Sequence, residues 1–228
     1  MPAMRVKDAD AVTGGASDPS KMPGYSFGIS ARECRTGGAL AQVEGSICSK
    51  CYALKNFYVM PSTVRAHERR MEALQAALAD PERADLYVAA WSLRIAGFAR
   101  KTPEFRWFDS GDLQSAGHLR LIVRIAAATP QVAHWLPTKE RGYVREYLRR
   151  FGDWRDEAPN LNIRVSDAMI GATKRTLIPG TTSSGAHDSA RPADPSAHVC
   201  PAPAQGNSCG DCRACWNPRV KHVSYHVH

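Results

Sequence analysis

No apolar run in this sequence approaches the roughly 20 residues that a membrane-crossing helix needs, and the opening "MPAMRVKDADAVTGGASDPS" lacks the continuous apolar stretch of a secretory leader. A membrane partner and an exported disulfide framework are therefore not expected, and a cytoplasmic location is. There is no internal repeat at a solenoid period, no HExxH, and no histidine pair spaced with the cysteines. Acidic residues are scarce beside basic ones, 22 against 30, which gives a formal charge of +8. That excess leaves room for an anionic partner such as nucleic acid. Much of it falls in "RAHERRM" and "REYLRRFGDWRDE", where interleaved acids give ordinary solvated helix faces.

With 228 residues, 43% of them apolar, the chain can build one main core with a small appended module. Residues 1–22 are rich in Gly, Ser, Asp and Ala without periodicity and read as a flexible arm. "YSFGIS" reads as a short strand, followed by a long loop over residues 31–52. Ser62 or Thr63 can cap a helix with Val64, Met71, Leu74 and Leu78 on one face. Asp80 and Pro81 break it, and "ERADLYVAAWSLRIAGFARK" continues as a helix apolar on more than one side.

Beyond residue 103 the pattern alternates. "FRWF", "VAHWL" and "NLNIRVS" read as strands, separated by the helical "SAGHLRLIVRIAAAT" and "RGYVREYLRRFG". This succession predicts an α/β fold with parallel strands, a partial (β/α) barrel over residues 23–179. In such barrels the site lies at the C-terminal strand ends, so "DSGD", "PTK", "SDA" and the 31–52 loop are expected at one mouth. Residues 180–198 read as a flexible linker. Residues 199–228 form a cysteine-rich closing segment, expected to return toward that mouth and to end in a strand, "VKHVSYHVH".

The seven cysteines fall in two groups: Cys34, Cys48 and Cys51, then Cys200, Cys209, Cys212 and Cys215. Cytosolic thiols stay reduced and the count is odd, so CxxC spacing points to a metal or redox site. A CxxC turn sets two sulfurs on one side of a tight loop, and a C-x-x-C-x-x-C run suits an iron–sulfur cubane better than a zinc tetrahedron. One 4Fe-4S cluster, two, or zinc all remain open at this point. His198, two residues before Cys200, can serve as a ligand but reads first as an exposed loop side chain.

Among the loop residues, Asp112 of "SGD" can accept from an ammonium or can simply cap a turn. Thr138 and Lys139 can meet a carboxylate or phosphate, or cap and be solvated. Ser166 and Asp167 carry the weakest signal.

A cysteine triad after the first strand of an α/β layout resembles the radical S-adenosylmethionine enzymes, in which three cysteines hold a 4Fe-4S cluster and the fourth iron binds the cofactor's methionine part. Here thirteen residues separate Cys34 from Cys48, where that superfamily has three. "ICSKCYALKNFY", "RWFDSGDL", "WLPTKERGYVREYL" and "CGDCRACW", spread over roughly residues 25–216, together resemble the actinobacteriophage gene-product-eighty-eight family. The resemblance implies a radical-SAM-like partial barrel, a cluster held by the first cysteines, and an electron donor. It places Ser110, Gly111 and Asp112 where a cofactor amino group would be contacted. The expectation is a one-electron redox or S-adenosylmethionine-cleaving iron–sulfur protein. Its rivals are a zinc-stabilised nucleic-acid-binding module and a protein whose cluster is purely structural.

Overall fold

Phe105 and Trp107 alternate with Glu104 and Arg106, and Leu161, Ile163 and Val165 alternate with Asn162, Arg164 and Ser166. A period of two sends each apolar set to one face of a sheet. The computed structural model of the protein describes residues 4–173 and 177–227, and there these apolar sets form one core with the helices laid over them.

Seven strands form a single parallel sheet: β1 (Tyr25–Phe27), β2 (Glu104–Trp107), β3 (Ala133–Thr138), β4 (Leu161–Ser166), β5 (Thr182–His187), β6 (His198–Val199) and β7 (His222–His226). Their order is β1-β2-β3-β4-β5-β7-β6, with β1 and β6 at the two edges. The α/β class and the parallel strands match the expectation, and the layout is compatible with a partial barrel. The helices are α1 (Val6–Thr13), α2 (Arg35–Leu40), α3 (Pro61–Ala79), α4 (Pro81–Phe98), α5 (Ala116–Ala127) and α6 (Arg141–Phe151). Among the described residues none is long and apolar enough to cross a membrane.

Tyr87, Val88, Trp91, Ile95 and Phe98 are buried on α4, which explains its apolar character on more than one side. Trp91 meets Phe27, Phe105 and Trp107 at ring separations of 5.7–6.0 Å. Each such buried side chain contributes on the order of 2–3 kcal/mol.

Helix α3 starts at Pro61, and neither Ser62 nor Thr63 caps it. Its buried face is His67, Arg70, Leu74 and Ala77, rotated about one residue from the expected stripe. Arg70 causes the rotation. Its guanidinium is buried because it donates to Gly15 O at 2.8 Å, Ser17 Oγ at 2.9 Å and Gly28 O at 3.0 Å.

Two segments differ from expectation. Residues 1–22, read as a loose arm, carry α1, with Ala9 and Thr13 fully buried and Asp10 paired to Arg94 at 2.6 Å; residues 1–3 of that arm lie outside the described residues. Its contacts are made by small side chains, so no periodic apolar stripe announces it. Residues 180–198, read as a linker, contain β5, a strand inside the sheet. Its small polar residues fit there because each hydroxyl finds a partner: Thr182 Oγ1 donates to Asn162 Oδ1 at 2.9 Å, Ser183 Oγ lies 2.9 Å from His222 Nδ1, and Ser184 Oγ 3.2 Å from Ser166 Oγ. The terminal strand is present as β7, while His228 lies outside the described residues.

Candidate metal and redox site

The mouth is built at the turn after β2. Phe108 takes φ 59° and Gly111 φ 80°, left-handed conformations that favour glycine. Ile29 presses against Gly111 so closely that an added Cβ would lie 2.4 Å from Ile29 Cγ1. Ile29 N donates to Ser110 O at 3.1 Å, which joins the end of β1 to this turn. Gly111 and the buried Ser110 therefore shape the turn from which Asp112 projects.

Asp112 accepts from Thr138 Oγ1 at 2.5 Å, Lys139 N at 2.8 Å and Leu113 N at 2.8 Å. These bonds bring the loop after β3 against the loop after β2. Glu140 accepts from Thr36 N at 2.8 Å and Thr36 Oγ1 at 2.7 Å, which docks α2 of the cysteine loop on the same place. Ile47 N donates to Ala168 O at 2.9 Å and Ile170 N to Gly45 O at 3.0 Å, so the loop after β4 joins as well. Arg141 Nη2 reaches Ser166 O at 3.2 Å. All four loops expected at one mouth meet there.

Cys34, Cys48 and Cys51 are half-buried inside this assembly. A Cβ added to Gly37 would lie 3.5 Å from Cys48 Sγ and 3.7 Å from Cys34 Sγ, so two thiols border a space that the glycine leaves empty. Burial first, then the charges of Asp112, the other two thiols and Glu140, pushes the Cys34 thiol up. Burial also raises Cys48, against the pull of Lys139. Such thiols stay protonated unless a cation replaces the protons.

The segment that carries the second cysteine group is anchored on β2 and β4. Arg213 Nε pairs with Glu104 Oε1 at 2.8 Å, Trp216 Nε1 donates to Phe105 O at 3.0 Å, and Asn162 Nδ2 to Cys215 O at 2.8 Å. Arg164 donates to Ser183 O at 2.7 Å and to Ala214 O and Val220 O at 3.1 Å each, pinning the segment from beneath. Cys215 Sγ lies 3.2 Å from Tyr225 OH and Cys212 Sγ 3.5 Å from His198 Nε2. Burial raises the Cys215 thiol to about 11, against the lowering effect of Tyr225 and Arg164.

Arg106, on β2, stands between the two groups. Its Nη2 donates to Tyr52 OH at 3.3 Å, beside Cys51, and its guanidinium lies 4.6 Å over the Trp135 ring. Tyr52 OH in turn donates to Asp109 O at 2.7 Å. Among the described residues no three His, Cys, Asp or Glu side chains converge on a point where one metal ion would sit.

The gene product 88 family is matched over residues 4–218, nearly the whole chain. The chain belongs to this phage gene-product family. Neither the curated proteins nor the solved structures contain a match. Sequence reasoning on this family member missed Arg106, Glu140, Tyr52 as a hydrogen-bonding group, and Gly37. None stands in a motif with a chemical spacing; only the parallel strand order, which brings residues 36 and 140 together, picks them out.

Burial is the main reason the Asp112 carboxyl titrates at about 6 instead of 3.8, with its three hydrogen bonds acting the other way. The folded chain thus holds this proton more tightly than the unfolded chain. Its contribution to stability is full below 3.8 and is lost as pH rises through 6, by up to about 3 kcal/mol. In the metal-free protein, Asp112→Asn is expected to lose this dependence. Urea midpoints of both proteins across that window should diverge steadily, and parallel curves would disprove the assignment.

Proposed function

We propose that this chain is an iron–sulfur protein in which Cys34, Cys48 and Cys51 hold a 4Fe-4S cluster with one iron left open, at the mouth of a radical-SAM-like partial barrel, serving a one-electron redox role. The carrying observation is that Cys34 and Cys48 border the space left by Gly37, with Cys51 near enough to raise the Cys34 thiol. When bound, such a cluster supplies a one-electron couple and a Lewis-acidic iron. The chain's own residues hold the loops together through Asp112, Thr138 and Glu140, while the Lys139 charge favours thiolate at Cys48.

Cys200, Cys209, Cys212 and Cys215 are proposed to hold a second cluster. Arg106 and Arg164 favour negative charge at Cys215, and cations beside a thiolate cluster stabilise it. Four thiolates around one zinc ion would stand about 3.8 Å apart, given Zn–S bonds of about 2.3 Å. The C-x-x-C-x-x-C run of Cys209, Cys212 and Cys215 is what favours the larger cluster over the zinc and nucleic-acid reading. S-adenosylmethionine has weaker support, because Asp112 and Thr138 are spent on each other and on backbone amides.

The test is reconstitution without oxygen, with iron, acid-labile sulfide, zinc and the visible spectrum measured on one sample. A brown protein with equal iron and sulfide and a reversible one-electron step is expected. Colourless zinc protein whose nucleic-acid affinity falls steeply with salt would replace this reading with its rival. A brown protein without redox turnover would leave only the structural cluster.

A further inference from the structure

Arg106 on β2, Trp135 on β3 and Asn162 on β4 are register partners, so they stand in one row on one face of the sheet. Arg164, two residues beyond Asn162, shares that face. The closing segment lies against this row. Asn162 Nδ2 donates to Cys215 O at 2.8 Å, Arg164 Nη2 donates to Ala214 O at 3.1 Å, and the Trp216 and Trp135 rings meet edge to face at 5.1 Å. Two donors in the row are orphaned: Trp135 Nε1 and Arg164 Nε are shut off from solvent and have no hydrogen-bond partner among the described residues. Trp135 is 6% exposed and Arg164 is fully buried. A buried N–H left unmet costs about 1–3 kcal/mol, and native proteins meet nearly all of them.

Arg106, 4.6 Å over the Trp135 ring, donates to Phe108 O, Met22 Sδ and Tyr52 OH, so among the described residues its charge is hydrogen-bonded to no carboxylate. Nearby acceptors of the chain are already engaged: Ser183 O, Ala214 O and Val220 O take other Arg164 N–H groups, and Asn162 Oδ1 takes Thr182 Oγ1. Unmet donors beside such a cation call for an acceptor of negative charge from outside the chain. We infer that Trp135 Nε1, Arg164 Nε and the Arg106 guanidinium are the donor shell of the cluster held by the C-terminal cysteines, donating to its sulfurs and raising its reduction potential. The inference rests on the second cluster proposed above; the orphaned donors belong to the chain itself. Reduction adds one negative charge to the cluster, and donors and cations at its sulfurs stabilise the reduced form more than the oxidised form. The rival acceptor is a buried water, which would leave the potential indifferent to Trp135.

The full chain carrying Cys34→Ala, Cys48→Ala and Cys51→Ala, reconstituted without oxygen, isolates the C-terminal cluster. Its one-electron potential is read by spectrophotometric titration with dithionite. Adding Trp135→Phe keeps an aromatic ring against Trp216 and removes the N–H. Its ratio of reduced to oxidised cluster at a fixed potential is expected to fall about tenfold, a downward shift of about 59 mV, with iron and sulfide unchanged. Arg106→Gln is expected to shift the potential in the same direction, and Arg106→Lys to restore most of it because the charge returns. Circular dichroism checks the fold of each variant. An unchanged potential in the folded variants overturns the donor shell while leaving the second cluster standing, with water as the acceptor. A parent chain that takes up no iron, or takes up zinc in its place, overturns the second cluster and the donor shell together.

Discussion

Replacing Cys34, Cys48 and Cys51 together by alanine is expected to remove all iron and sulfide from the mouth while leaving that of the C-terminal group, so that a two-cluster protein retains about half of its visible absorption. The three thiols are the proposed ligands at the mouth, and each is only half-buried. Alanine there forfeits little packing, and a stability loss of under about 1 kcal/mol is expected, within the range of ordinary partly exposed substitutions. The complementary variant, Cys209→Ala with Cys212→Ala, should lose the other half. The two groups are anchored through different residues, Glu140 for the first and Asn162 and Glu104 for the second. Iron content unchanged by the first variant and abolished by the second would place the entire cluster in the closing segment and sink the open-mouth proposal. Loss of all iron in both would mean one shared site, a geometry that the separate anchors do not favour.

Arg164→Leu is expected to be the most damaging single substitution outside the apolar core, lowering stability by about 3–5 kcal/mol. The leucine fills comparable space, but three well-placed carbonyl acceptors, Ser183 O, Ala214 O and Val220 O, lose a charged donor inside the protein. Each such loss costs about 1–3 kcal/mol, less than additively. A urea midpoint that falls with little change in slope is the signature of that loss. Proteolysis should also become faster within residues 200–217, because Arg164 supplies several of the bonds that hold that segment against the sheet. By contrast, Arg150→Ala breaks an exposed i, i+4 pair with Glu146 and should shift stability by less than about 0.5 kcal/mol. If Arg164→Leu behaves like Arg150→Ala, the segment is held by something other than these carbonyl bonds.

The strand and helix alternation beyond residue 103 was legible because each element there carries a strong period. Phe105 and Trp107, or Leu161, Ile163 and Val165, mark a strand face without help from the rest of the chain. The C-terminal strand ends were legible for the same reason, since a parallel order forces the loops that follow the strands to one side. Where large apolar residues are absent, the sequence was silent. Ala9 and Thr13 on α1, and the serines and glycine of β5, are buried by contacts with partners distant in the chain and by hydroxyl pairs. Small side chains carry almost no periodic signal, so these segments looked like an arm and a linker.

The candidate site divides in the same way. Cysteine spacing identifies both thiol groups, because two sulfurs on a CxxC turn are near each other whatever the fold. Local chemistry therefore pairs Cys48 with Cys51 and joins Cys209, Cys212 and Cys215, and the period of the strands gives the α/β class. Tertiary structure alone decided how the groups sit relative to each other. It fixed the closing segment on the sheet, through Arg164 and the Arg213–Glu104 pair, and set Arg106 between that segment and the Tyr52 turn. It also committed Asp112 to Thr138 and Lys139 and brought Glu140 to Thr36, 104 positions away. Contacts of that range depend on the order of the strands in the sheet, and no window of sequence contains them.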